Sequence, residues 1–189
     1  IWIGTFNGLN RYDKSTGLFQ NHTASDAQSD GLTHSSIWCI VKDNQGTLWL
    51  GTYFGGVNYF NPEYEIYSRY MYSPIEKKGL SNPVVGRTIE DKDGNLWIGT
   101  EGGGLNRLDI RSGRFTHYRM EAGNPETLPS DIIRDIAPYQ DHLVIATQNG
   151  ICLFDPANGK CQQLFQDSKE GKKIKMVADV TFDSNGTLW

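Results

Sequence analysis

Asp91-Lys92-Asp93-Gly94-Asn95-Leu96-Trp97-Ile98-Gly99-Thr100-Glu101-Gly102-Gly103-Gly104-Leu105-Asn106-Arg107-Leu108-Asp109 decides the fold, because recognisable copies of it recur along the whole chain. Its Trp-Ile-Gly-Thr core stands also at Trp2-Ile3-Gly4-Thr5 and as Trp49-Leu50-Gly51-Thr52. It decays to Val144-Ile145-Ala146-Thr147 and restarts at Leu188-Trp189. The offsets are 47 (2 to 49), 48 (49 to 97), 47 (97 to 144) and 45 (144 to 189), within the ~40–50 residues of a propeller blade.

Each period carries short apolar runs rich in β-branched and aromatic residues, bounded by Gly, Asn, Asp or Pro, which is strand patterning. Four strands fit per period. The first, A, is Ile37 to Val41, with counterparts Val85 to Ile89, Ile133 to Ala137 and Val177 to Phe182. B is the Leu-Trp-Ile-Gly-Thr run, C is Gly56 to Phe60 or Gly104 to Leu108, and D is Glu65 to Tyr70 or Arg114 to Tyr118. The A–B turns Asp43 to Gly46, Asp91 to Gly94 and Asp183 to Gly186 place Gly where a tight hairpin needs positive φ. The C–D turns Asp13 to Gly17, Asp109 to Gly113 and Asp155 to Gly159 follow the same chemistry. The expected fold is therefore all-β: a β-propeller of four-stranded antiparallel blades with almost no helix, present as a partial ring of about four blades. The units run approximately over residues 1–30, 31–78, 79–126, 127–171 and 172–189. The sequence starts and stops inside strand B, so we expect it to be part of a larger ring.

A net charge of −4 and a pI near 5.5 argue against nucleic acid as a partner, since phosphate neutralisation needs a basic face. The cluster from Lys169 to Lys175 is a local exception, read as a solvated loop. No apolar run approaches the ~20 residues of a membrane helix. Cys39, Cys152 and Cys161 are odd in number and lack metal-ligand spacing, so structural roles are expected for all three. The hairpin register sets Cys161 opposite Phe154, so a bridge to Cys152 would need a distortion. Asp91-x-Asp93-Gly94 has Gly102 where a calcium loop needs its twelfth-position Glu, which favours a plain turn. No metal or cofactor is expected.

The pattern Leu80-Ser81, Val85, Asp91-x-Asp93-Gly94-Asn95-Leu96-Trp97-Ile98-Gly99-Thr100, then Gly104-Leu105-Asn106 and Asp109, resembles the two-component regulator propeller repeat, most closely in residues 1–121. In the fourth unit Val144 replaces Trp, Ala146 replaces Gly and Tyr139-Gln140-Asp141-His142 replaces Asp-x-x-Gly. The resemblance implies a periplasmic ligand-sensing propeller of a hybrid two-component protein, the extracytoplasmic part of an inner-membrane sensor. It implies as partners a small-molecule or oligosaccharide ligand, the rest of the propeller, downstream histidine-kinase and receiver domains, and a second copy of the parent in a homodimer. Glycan sensing is best known in that family.

Function is to be sought where the repeats differ. Alternation along antiparallel strands puts the A–B and C–D turns on one face and the B–C and D–A connections on the other. The first face repeats its chemistry. The second varies, and variable loops on a rigid scaffold collect binding residues. There lie Phe6-Asn7, Tyr53-Phe54, Glu101-Gly102 and Gln148-Asn149, the D–A residues His34-Ser35-Ser36, Asn82-Pro83, Ser130-Asp131 and Lys173 to Lys175, and the strand A entrances Trp38, Arg87 and Arg134. The ligand-binding candidates are Trp38, Tyr53, Phe54, Arg87, Glu101, Arg134 and Gln148.

Each candidate has a plainer alternative. Trp2, Trp49, Trp97 and Trp189 share one repeat position and read as inter-blade packing, outside the site. Trp38 breaks the pattern, with Gly86 and Arg134 at its position, and either binds or fills core. Tyr53 and Phe54 either stack on a sugar or cover the next blade. Arg87 and Arg134 either reach a central channel or pair with Asp135 or Asp179. Catalytic groups are not identified: Glu101, Asp131 and His34 could supply acid and base, but no spacing marks a pair. The leading expectation is a ligand-sensing module rather than an enzyme. The alternatives are a propeller lyase or glycan hydrolase, or an interaction scaffold without a small ligand.

Overall fold

The computed structural model of the chain describes residues 1–24, 31–63, 66–75, 78–165 and 174–189. These form fifteen strands and no helix: β1 (Trp2–Thr5), β2 (Gly8–Tyr12), β3 (Phe19–His22), β4 (Ile37–Lys42), β5 (Leu48–Thr52), β6 (Val57–Asn61), β7 (Ile66–Tyr70), β8 (Val85–Glu90), β9 (Asn95–Thr100), β10 (Leu105–Asp109), β11 (Arg114–Tyr118), β12 (Ile133–Tyr139), β13 (His142–Thr147), β14 (Gly150–Asp155) and β15 (Lys160–Leu164). Strands β1 to β3 make a three-stranded sheet, and β4–β7, β8–β11 and β12–β15 make three four-stranded sheets with sequential antiparallel neighbours. The first strands of successive sheets, β4, β8 and β12, pack side by side. This is an arc of propeller blades, as the repeat dictates. Residues expected at Glu65 and across Lys169 to Lys173 lie outside the described residues.

One expected element is absent. Residues 177–182 carry strand A patterning but form no strand, only a bridge of Phe182 with Leu188 and reciprocal backbone bonds between Thr181 and Trp189 (3.1 and 2.8 Å).

Each residue of the repeat motif has a place in the packing. Its Trp wedges one blade against the next: Trp49 clusters with Leu96, Ile98, Leu108 and Phe115, and Trp97 with Ile136, Leu143, Ile145 and Phe154. Trp189, by contrast, is 74% exposed. The Trp97 ring meets Phe154 edge-on at 5.4 Å, a favoured aromatic geometry. The motif Gly is small because the following blade crosses it. A Cβ on Gly4, Gly51 or Gly99 would lie 2.7, 2.7 or 2.6 Å from Ile37, Val85 or Ile133, the first residue of the next strand A.

Two polar clamps complete the unit. In the A–B turn the Asp91 carboxylate accepts bonds from the Asp93 and Asn95 amides (2.9 and 2.8 Å) and from the Trp97 indole N–H (2.8 Å). Asp43 does the same for Gln45, Thr47 and Trp49. On the opposite face the Asn of strand C grips the preceding D–A connection. Asn106 Oδ1 accepts from Ser81 N–H (2.9 Å) and its amide donates to Ser81 Oγ (2.8 Å). Asn58 holds Thr33 likewise (3.0 and 2.7 Å). These residues satisfy buried backbone groups that the ladders leave over.

Candidate functional site

The strand A entrances share an irregularity that the sequence did not reveal. Register shifts between Ile37 and Cys39, between Val85 and Arg87, and between Ile133 and Asp135 leave Trp38, Gly86 and Arg134 without a ladder partner. A β-bulge of this kind turns its residue away from the alternation that governs its neighbours. Ile37 and Cys39, two residues apart, accordingly pack into different core clusters, while Trp38 between them is 40% exposed.

Backbone bonds then bring the B–C turn to the bulge. Tyr53 N–H donates to Ser36 O (3.1 Å), Glu101 N–H to Val84 O (3.1 Å) and Gln148 N–H to Ile132 O (3.1 Å), each acceptor two residues before the bulged position. The two places where the repeats vary are thus neighbours in every complete blade. Each turn is also tied to the next blade: Gly56 N–H donates to Pro83 O (3.0 Å) and Gly104 N–H to Asp131 O (2.9 Å).

Different residues at this junction give different surfaces. In the blade of β4–β7, Trp38 stacks on Tyr53 with centroids 5.0 Å apart and planes 17° off parallel. Phe54 meets Tyr53 edge-on at 4.4 Å, and His34 stands 6.2 Å from the same ring. Phe54 occupies φ 68, a left-handed conformation that costs a non-glycine residue about 1–3 kcal/mol, and the residue is 57% exposed. This is an apolar wall open to solvent.

In the next blade the bulge is Gly86, and Glu101 turns to the following blade, where Arg134 Nη1 donates to its Oε1 at 2.7 Å. Arg87, one residue beyond the bulge, donates through Nε to Asp135 and through Nη2 to Asp179 Oδ1 (3.3 Å). Asp135 also accepts from Val180 N–H at 2.9 Å. Burial opposes the Arg87 charge, but the bond to Asp135 and the charges of Asp135 and Asp179 outweigh it and hold the guanidinium above its ordinary pKa. Burial likewise raises the Asp135 carboxyl. Gln148 is exposed at its turn.

The structure therefore gathers Trp38, Tyr53 and Phe54 into one cluster, Arg134 and Glu101 into a second, and engages Arg87 with acidic partners from two later strand A positions. Of the groups considered for acid–base work, two carry a bond to a backbone N–H. His34 Nδ1 accepts from Ser36 N–H (3.0 Å), and Asp131 Oδ1 accepts from Met120 N–H (2.7 Å). The pairing of Arg87 with Asp135 and Asp179 is the plainer alternative named from the sequence, whereas Arg134 pairs with Glu101 instead. The bulges were not foreseen, because the apolar run Ile37 to Val41 carries no mark of a register shift.

The arc of blades and this face define a propeller whose variable surface surrounds the strand A entrances. Residues 31–54 and 79–102 match the model of the two component regulator propeller family. The chain is similar over its whole length to the extracellular domain of BT3049 from B. thetaiotaomicron, assigned to a hybrid two component system, at 24% identity and a TM-score of 0.83. It covers 25% of that chain. The extracellular domain of BT4673 from the same organism, assigned likewise, is similar at 21% identity and a TM-score of 0.75, with 100% of this chain and 24% of that one covered. A gluconolactonase, XC5397 from Xanthomonas campestris, is similar at 15% identity and a TM-score of 0.62 over 98% of this chain and 62% of its own. At these identities the likeness shows the fold. The chain spans about a quarter of the extracellular domains it matches. No curated protein matches it.

Proposed function

We propose that the chain belongs to an extracytoplasmic, periplasmic ligand-sensing propeller of a hybrid two-component protein. Its variable face binds an oligosaccharide and passes occupancy to a histidine kinase elsewhere in the parent. The observation that carries this reading is the bulge junction, where a stacked pair of exposed aromatics, Trp38 and Tyr53, stands on a rigid ladder. Aromatic faces supply flat apolar area to a sugar ring, while Arg134, Glu101, Arg87 and Gln148 supply oriented hydrogen bonds. The match of residues 31–54 and 79–102 to the two component regulator propeller family supports the signalling context.

An enzyme reading finds less support, because His34, Asp131 and Glu101 each serve a structural bond. The test is calorimetry of a panel of oligosaccharides on the complete propeller. Trp38→Ala weakens a bound glycan by about tenfold or more, on the scale of one lost stacking contact. Arg134→Ala and Arg87→Ala weaken it too, whereas Asp93→Ala on the opposite face leaves affinity intact. Equal losses from both faces, or full affinity in the Trp38 and both Arg variants, would reject the placement. A glycan consumed rather than recovered unchanged would turn the reading to catalysis.

A further inference from the structure

The blade of β12–β15 departs from the repeat at two places that touch. Strand C carries Asn10, Asn58 and Asn106 at one position and Cys152 in this blade; strand D carries Phe19, Tyr67 and Phe115 at another and Cys161 in this blade. The ladder pairs Cys152 with Gln163 and Phe154 with Cys161, so the cysteines are diagonal neighbours on one face of the hairpin. Their sulfurs stand 3.2 Å apart, inside van der Waals contact. Both are free thiols, as is Cys39, which belongs to a different core cluster and donates to Thr88 Oγ1 at 3.5 Å.

We infer that Cys152 and Cys161 are a redox pair that closes into a disulfide within the outer hairpin of this blade. A disulfide needs the sulfurs about 2.05 Å apart, so the thiols have roughly 1.2 Å to close, a small local distortion of the diagonal pair. The pairing is local and leaves Cys39 as the single thiol.

The reaction is thiol–disulfide exchange with a small or protein disulfide as oxidant. One cysteine thiolate attacks the oxidant, forms a mixed disulfide and releases a thiolate. The second cysteine then displaces the remaining half, so two cysteine thiols are oxidised and one disulfide is reduced to two thiols. Entry falls to Cys161. Cys152 is wholly inside, and its hydrogen bond to Cys161 together with burial pushes its thiol far up in pKa. Cys161 is 6% exposed and lies on the outer strand, whose free edge is covered by the 121–127 connection through Cys161 N–H to Glu126 O (2.8 Å) and the exposed ion pair Lys160–Glu126. Release of that connection opens the route. A physiological oxidant rests on the extracytoplasmic reading above; the chemistry of the pair does not.

The experiment equilibrates the purified protein in glutathione buffers from reducing to oxidising, alkylates it under denaturing conditions, and maps the cysteines by mass spectrometry. Expected is a 152–161 intramolecular disulfide that forms slowly, is reversed by reductant and raises the melting temperature, while Cys39 stays alkylatable. Glu126→Ala and Lys160→Ala, which loosen the cover, speed its formation. Cys39→Ser leaves it unchanged and guards against a Cys161→Ser control that misfolds. Persistent free thiols at Cys152 and Cys161 in the most oxidising buffer, a glutathione adduct that does not close, or pairing through Cys39 would overturn the inference. Formation in the tube with free thiols in protein taken from cells supports the pair and counts against the extracytoplasmic reading instead.

Discussion

The blades β8–β11 and β12–β15 adopt the same four-stranded ladder from visibly different residues. In the first, Trp97 fills the gap to the next blade, Asp91 pins the turn and the indole, and Asn106 clamps Ser81. In the second, Val144 and Ala146 meet Val177 and Val180 in a smaller cluster, and the turn shortens to Gln140-Asp141 with Gln140 at φ 54. The clamp is lost from both sides, because Pro129 has no N–H to give and Cys152 has no amide to receive it. What the two share is the alternation of buried residues and the antiparallel register. The alternation specifies the blade, and the motif residues are separate reinforcements that a blade can shed.

The most forceful way to break this comparison is Trp97→Ala. The cavity between blades should cost about 3–5 kcal/mol in urea unfolding, against a smaller loss for Val144→Ala at the equivalent position. Equal losses would mean that the wedge is not what joins the first blade to its neighbour. Next comes the clamp. Asn106→Ala strands the buried Ser81 N–H and should cost about 1–3 kcal/mol, while Cys152→Asn, lacking a donor at Pro129, should bring no gain in melting temperature; a clear gain would show the clamp restorable from one side.

The smallest effect concerns acid. Burial raises the Asp91 carboxyl, but the bonds from Asn95, Trp97 and Asp93 outweigh it, and its pKa falls below the model-peptide 3.8. Its contribution is therefore complete above about pH 4 and fades as pH falls through the lower folded value. Hydrogen exchange at the Asp93 and Asn95 amides should quicken in that window and stay level in Asp91→Asn, whereas the Gln140-Asp141 turn offers no such carboxylate cradle. Unchanged exchange down to pH 2 in the native chain would contradict the cradle.

Much of the fold was legible because a propeller writes its period into the sequence. The Trp spacing, the turn glycines and the strand alternation each pointed to the same sheet. Residues 177–182 carry the apolar patterning of strand A but form only the bridge of Phe182 with Leu188. The site was less legible. Trp38 stood out as a break in its column, but that it is a bulge depends on register; Asp135 and Asp179 were legible as candidate partners of Arg87, but that Arg87 engages both depends on segments 48 and 92 residues away in sequence. Cys152 and Cys161 are free thiols, in keeping with the register, but the 3.2 Å between their sulfurs depends on side-chain rotamers that register does not fix.

The bulge has a further consequence for how such a surface changes over generations. Most positions on these strands answer to a neighbour in the core, so a substitution there is felt as lost stability. Trp38, Gly86 and Arg134 occupy one geometric slot in three consecutive blades, yet one is the largest side chain, one has none and one is charged. A slot that accepts all three leaves the ladder beneath it indifferent to its contents. Recognition can then drift, blade by blade, through single replacements that folding does not police.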